Sequence, residues 1–237
     1  MQIFDNVIKE VNDLLSGEYS YCDDIKVNKE FLGKKNELVL ASEAAFELGA
    51  AKKDSVTFFS VCQNEELVKH DEILIYGDDL DKIHEDCSFA RITIVRIKDN
   101  LIKDNQATYN IIENIDLKKY DVAPLGYMLR ASAFSSREQI RVSKKSIKKG
   151  LSFFDVGSQF INEYKKHKDV EAVKVIFITD ANFNYSKLSV EAKKAQDLIK
   201  AMNTIMNDLD FDCKHCEWKV VCDDTPGMRE LHKKYMK

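Results

Sequence analysis

The beginning of the chain has apolar residues spaced as on one face of a helix. Ile3, Phe4, Val7, Ile8 and Val11 follow the i, i+3, i+4, i+7 pattern of an amphipathic helix. The pattern ends at Ser16-Gly17, and polar residues dominate from that point to about residue 36, which predicts a loop. We therefore expect an N-terminal helix and loop over residues 1–34, and a second unit over residues 35–237.

The next part of the chain has the pattern of β-strands. Three runs rich in β-branched and aromatic residues, separated by turn residues, are Ser55–Cys62, Glu72–Tyr76 and Phe89–Ile97. In the last run, Ile92, Ile94 and Ile97 have polar residues between them. These runs predict a mixed or mainly antiparallel sheet.

The second half combines strands with longer helices. It predicts strands at Gln139–Ser143 and Val170–Ile178 and a helix over Leu151–Lys166. Ser189 is a candidate N-cap for a long helix that continues to Leu209. The expected fold class is α+β, with a mixed sheet, packed helices and a C-terminal Cys-rich metal-binding loop.

Composition and charge narrow the classes of function. The 237 residues carry a formal net charge of −4, so no overall basic excess indicates nucleic-acid binding. No apolar run approaches the roughly 20 residues that span a bilayer. The N-terminus lacks the pattern of a signal peptide, so we expect a cytoplasmic protein with reduced thiols and no membrane partner.

Three of the six cysteines lie close together near the C-terminus and are candidate metal ligands. Cys213 and Cys216 form a Cys-x2-Cys pair whose thiolates can face one centre, and Cys222 can close its far side. His232 is the best-placed fourth ligand, with His215 as the alternative. The spacing fits zinc as well as an iron–sulfur cluster, and buried cysteines without metal are the non-functional interpretation.

Four stretches of the sequence resemble the C-terminal, cluster-binding region of the catalytic (beta) subunit of carbon monoxide dehydrogenase/acetyl-CoA synthase. The resemblance covers roughly residues 35–237. Its stretches are Gly77-Asp78-Asp79-Leu80-Asp81, Arg141-Val142-Ser143-Lys144-Lys145, Ile178-Thr179-Asp180, and the cysteine run that ends in Thr225-Pro226.

The resemblance implies a [4Fe–4S] cluster held by Cys213, Cys216 and Cys222. Cys216 takes the place of the ligand that bridges to nickel, and His232 takes the fourth cluster-ligand place. The spacing from Cys216 to Cys222 is shorter than in the family, and no Cys-Gly-Cys nickel motif follows in this sequence. We therefore expect no nickel without a partner.

These observations predict an accessory redox or binding protein of anaerobic one-carbon and carbon monoxide metabolism. Its expected partners are a carbon monoxide dehydrogenase, a corrinoid protein or another redox protein. One alternative is a catalytic subunit with CO-methylating acetyl-CoA synthase-like acyltransferase activity, completed by a partner chain. The other is a zinc-stapled interaction domain.

Overall fold

The computed structural model describes residues 3–33, 44–50, 52–99, 105–130, 136–207, 216 and 218–225. Eight strands and six helices lie within these ranges and confirm the α+β class with a mixed sheet. In chain order they are α1 (Asp5–Leu14), β1 (Tyr19–Cys22), β2 (Ala45–Leu48), β3 (Ser55–Cys62), β4 (Glu72–Tyr76), β5 (Phe89–Ile97), α2 (Asn105–Asp116), β6 (Tyr127–Arg130), β7 (Gln139–Ser143), α3 (Lys144–Lys148), α4 (Phe153–Lys165), β8 (Val170–Ile178), α5 (Tyr185–Asn207) and α6 (Lys219–Asp224).

Five strands form the main sheet in the order β1-β4-β8-β5-β3. Strand β8 lies at its centre, parallel to β4 and antiparallel to β5. Strand β3 pairs in parallel with β5 at one edge, and β1 pairs antiparallel with β4 at the other. Because apolar side chains on both faces of β5 and β8 are buried, the central strands are covered on both sides.

A smaller antiparallel sheet, in the order β2-β7-β6, lies beside the main one. A single parallel bridge between Leu48 and Cys87 joins its β2 strand to the segment that precedes β5. The Gly49 N–H donates to the Cys87 carbonyl at 2.8 Å. The start of β5 is therefore held between the two sheets.

Helix α4 packs across the central strands. Its start is fixed by a capping box, in which Ser152 and Asp155 each accept a hydrogen bond from the other's backbone N–H. Phe153 in its first turn stacks on Phe177 of β8 with a centroid distance of 4.6 Å, and on Phe89 of β5 at 5.9 Å. Each buried phenylalanine contributes about 1.5–3 kcal/mol by leaving water.

Two predictions about local structure are wrong. The segment predicted as a loop contains β1, whose alternating Tyr19 and Tyr21 are exposed because it is an edge strand. The long helix begins at Tyr185, not after Ser189: the Asn184 side chain accepts from the Lys187 N–H at 3.0 Å and so supplies the cap. Among the described residues no helix is both long and apolar enough to cross a membrane.

Candidate functional site

The described part of the cysteine segment is a short helical turn that packs on α5. The Cys216 carbonyl accepts from the Lys219 N–H at 3.1 Å, so Cys216 lies at the entrance to α6. One turn further, the Cys222 N–H donates to the Trp218 carbonyl at 3.0 Å. Cys216 is half-buried and Cys222 is only 6% exposed, in contact with the apolar core. Both thiols are thus held by a structured turn.

The other predicted ligands, Cys213, His215 and His232, lie outside the described residues. Within the described ranges, no group of three or more Cys, His, Asp or Glu side chains is placed to hold a metal ion. The four-ligand site therefore stays a prediction. The structure fixes the positions of Cys216 and Cys222 alone.

Trp218 lies between these cysteines and gives a test of whether the segment suits a sulfur-rich centre. Its indole Nε1–H is buried and has no acceptor among the described residues. A buried donor without a partner costs free energy, and thiolate or sulfide sulfur accepts N–H hydrogen bonds in iron–sulfur proteins. A thiol before α6, a thiol within it and an N–H donor at its N-cap are groups that fit a cluster. The burial of Cys222 would equally suit a core thiol, so metal content must distinguish the two.

Two family-like stretches meet at the carboxyl ends of the parallel strands β4 and β8. The Thr179 hydroxyl donates to the Asp78 carbonyl at 2.7 Å, and the Thr179 N–H donates to the Tyr76 carbonyl at 2.9 Å. Gly77 has φ +96°, and a Cβ built there would lie 2.5 Å from the Asp180 nitrogen. Only glycine allows this approach, so these residues fix how the two turns fit together.

Asp79 connects the same turn to helix α4. One of its carboxylate oxygens accepts from the Leu80 N–H and from the Phe153 N–H, both at 2.7 Å. Burial raises the pKa of Asp79 above its ordinary value, and the two backbone N–H groups partly oppose that effect. Asp79 is therefore a fixed structural acceptor that caps the first turn of α4.

The third family-like stretch also has a structural role. Arg141 of β7 lies opposite Glu47 of β2 in the ladder, and their side chains form an ion pair. Ser143 caps α3 by accepting from the Ser146 N–H at 3.4 Å. The described family-like residues outside the cysteine run therefore hold sheets and turns together.

A buried ion pair lies between the two sheets. Arg91 on β5 and Glu138, just before β7, have side chains 1% and 3% exposed. The guanidinium donates twice to the carboxylate, at 2.8 and 2.5 Å. It also donates to the Thr93 hydroxyl at 2.5 Å and lies 4.4 Å from the centre of the Phe160 ring. This two-point geometry fixes the small sheet against the main one.

Two tyrosines share the neighbourhood of this ion pair. The Tyr127 and Tyr164 hydroxyls are both buried next to Arg91 and Glu138. Burial raises the pKa of both phenols, while the nearby positive charge of Arg91 lowers it in part. Both hydroxyls therefore stay protonated, and they form part of the polar core between the sheets.

Sequence reasoning missed the pair because its members are far apart along the chain. Arg91 stands in an alternating pattern that predicts a half-buried strand, yet both faces of β5 are covered. Glu138 lies outside every predicted element. Burial of a charge on a central strand requires a partner, but the sequence does not identify which acid supplies it.

Comparison with known proteins identifies the family. The family model of the CO dehydrogenase/acetyl-CoA synthase complex beta subunit matches residues 24–183. None of the curated proteins compared with the chain matches it. The matched region includes the Asp79 turn, the Arg141 stretch and Thr179. It ends before the candidate metal ligands Cys213, Cys216 and Cys222. Because this match covers well over half of the sequence, the chain belongs to the family of the CO dehydrogenase/acetyl-CoA synthase complex beta subunit.

Proposed function

We propose that this protein binds a [4Fe–4S] cluster and acts as an accessory redox or binding protein in carbon monoxide and one-carbon metabolism. The proposed ligands are Cys213, Cys216, Cys222 and His232. Family membership supports the metabolic context, because the matched description names a CO dehydrogenase/acetyl-CoA synthase complex.

The observation that carries the cluster proposal is the position of Cys216 and Cys222 at a short helix that is packed against the rest of the fold. Cys222 belongs to the short helix α6, which packs against α5, and Cys216 lies just before that helix; α5 itself starts shortly after the end of β8. A ligand pair on a packed element loses little conformational freedom when it binds metal. The Trp218 N–H gives this turn an additional donor for sulfur.

When bound, a cluster of this kind supplies one-electron transfer. A neutral imidazole in the fourth place, in contrast to a fourth thiolate, reduces the negative charge around the iron. Lower negative charge favours the reduced state and raises the potential. His232 would therefore tune the potential, while the three cysteines would hold the centre.

The deciding experiment is iron and acid-labile sulfide analysis of protein purified without oxygen. We expect stoichiometric iron and sulfide, with a broad visible absorption band that bleaches on reduction. The Cys216→Ser and Cys222→Ser variants should lose this band. Cys22→Ser is the matched control, because Cys22 is a half-buried thiol on the edge strand β1 and should retain the band.

Each alternative gives a different result in the same experiment. If the protein contains stoichiometric zinc and no iron, the redox role is excluded and the protein is instead a zinc-stapled interaction domain. Protein free of both metals, or equal cluster loss in Cys22→Ser, would contradict the proposal. The proposed partners are a carbon monoxide dehydrogenase or a corrinoid protein, and co-purification with either one, tested without oxygen by size-exclusion chromatography, checks that association.

A further inference from the structure

A polar cavity of about 440 Å³ opens beside the first turn of α5. Its lining is mainly polar and contains three basic side chains, those of Lys52, Lys53 and Arg137. Ser186 and Ser189 of α5 add two exposed hydroxyl groups. None of these residues belongs to the cysteine segment, so the cavity is a different feature from the proposed metal site.

The sheet topology explains why these residues meet. Strands β3 and β5 are parallel neighbours, so both start at the same end of the sheet. Strand β8 runs antiparallel to β5, so β8 finishes at that end of the sheet and places the start of α5 there. Arg137 reaches the same place because its neighbour Ser136 accepts from the Thr57 N–H at 2.8 Å.

The basic side chains of the cavity have no carboxylate partner among the residues that the structure describes. Within the described part of the chain, Lys52, Lys53 and Arg137 form no ion pair, and Arg137 makes one hydrogen bond, to the Gly49 carbonyl at 3.5 Å. The one acid in the lining is Asp54. An excess of positive charge in a concave site is unusual for a chain whose net charge is −4.

The other hydroxyl groups of the lining are already used. The Ser55 hydroxyl donates to the Glu138 carbonyl at 2.6 Å and accepts from the Glu138 N–H at 2.9 Å. The Tyr185 hydroxyl faces the Ile178 carbonyl at 3.4 Å. These bonds fix the walls of the cavity, while the basic groups and the two serines of α5 are available to a ligand.

We propose that this cavity binds a small molecule through a phosphate or diphosphate group. Lysine and arginine side chains with serine hydroxyls are the usual protein partners of phosphate oxygens. The start of a 23-residue helix adds positive potential in the same direction. The volume exceeds that of a phosphate group and lies in the range of small-molecule sites, so the rest of a ligand fits beside it.

The test is calorimetric titration with pyrophosphate, and with inorganic phosphate and sulfate as further probes. Wild-type protein should bind pyrophosphate saturably and more tightly than sulfate. Arg137→Gln and the Lys52→Gln/Lys53→Gln double variant should each weaken binding about tenfold, since each removes at least one charge-assisted hydrogen bond. Asp54→Asn should strengthen binding, because it removes the one negative charge of the lining.

The matched control is Lys145→Gln/Lys148→Gln. It removes the same charge from two exposed lysines of α3, which do not line the cavity. Binding that is unchanged in this control and weakened in the cavity variants supports the site. Absence of saturable pyrophosphate binding by the wild type, or equal weakening in the control, overturns it. Metal content of all variants should match the wild type, so this result is independent of the cluster proposal.

Discussion

The buried ion pair between Arg91 and Glu138 gives a quantitative test of the fold. Glu138→Gln keeps the shape and one acceptor oxygen but removes the negative charge. The Arg91 guanidinium then stays buried without a negative charge beside it, and the remaining amide oxygen, Thr93, Thr57 and the Phe160 ring are neutral partners. Unit charges about 4 Å apart interact by about 4 kcal/mol at an effective dielectric constant of about 20. Breaking buried pairs by removing one partner typically costs about 3–5 kcal/mol.

We therefore expect Glu138→Gln to lower the free energy of unfolding by about 3–5 kcal/mol. For a protein of this size that corresponds to a fall in melting temperature of about 10 °C. Urea unfolding followed by circular dichroism measures the change directly. Arg91→Met/Glu138→Leu removes both charges and should be less destabilised than Glu138→Gln, because no unpaired charge stays in the core.

The matched control is Glu163→Gln. Glu163 pairs with Lys166 at the C-terminal end of α4, and the lysine and glutamate side chains are 56% and 16% exposed. Surface pairs of this kind contribute about 0.3–0.5 kcal/mol. If Glu138→Gln destabilises the protein no more than Glu163→Gln does, the ion pair does not hold the two sheets together and the argument is refuted.

Three further predictions concern the turn at β4 and the cluster. Gly77→Ala should lower the free energy of unfolding, measured in urea, by more than Gly150→Ala does. Both glycines have positive φ, but of the two only Gly77 has backbone atoms within contact distance of an added Cβ. Equal losses of stability would refute the close approach at Gly77. The pKa of Asp79 is raised in the folded state, so protonated Asp79 stabilises the fold at low pH, and this stabilisation is lost as pH rises through the folded pKa. The Asp79→Asn variant does not titrate at this position, so its stability relative to the wild type should increase over that pH range. A difference in unfolding free energy that does not change with pH would refute this. His232→Ala should lower cluster occupancy or shift its potential, measured by iron analysis and redox titration, and full occupancy at an unchanged potential would exclude His232 as a ligand.

The strands that carry strong local signals were predicted with their observed bounds. Ser55–Cys62, Glu72–Tyr76, Phe89–Ile97, Gln139–Ser143 and Val170–Ile178 are rich in β-branched or aromatic residues, and each occurs as predicted. Strand β1 was missed because its neighbours are polar and its exposed edge position requires no apolar face. The cap of α5 was misplaced because Ser189 and Asn184 both suit an N-cap, and only tertiary packing selects between them.

The chemistry of the fold was less predictable than its strands. The cysteine spacing predicts a metal segment, and that site stays a prediction; the structure places Cys222 in α6 and Cys216 just before it. The Arg91–Glu138 pair and the basic cavity each join residues from distant parts of the sequence. No local pattern marks Lys53 and Arg137 as neighbours, because their proximity depends on the pairing of β3, β5 and β8.

The central place of β8 has a consequence for synthesis on the ribosome. Glu72 of β4 pairs with Lys174, and Ala90 of β5 pairs with Ile178, so β8 joins two halves that do not otherwise pair with each other. Until Val170–Ile178 has left the exit tunnel, the nascent chain contains two separate strand pairs with apolar edges open to misassociation. Translation of this one segment therefore sets the earliest moment at which the five-stranded sheet can close.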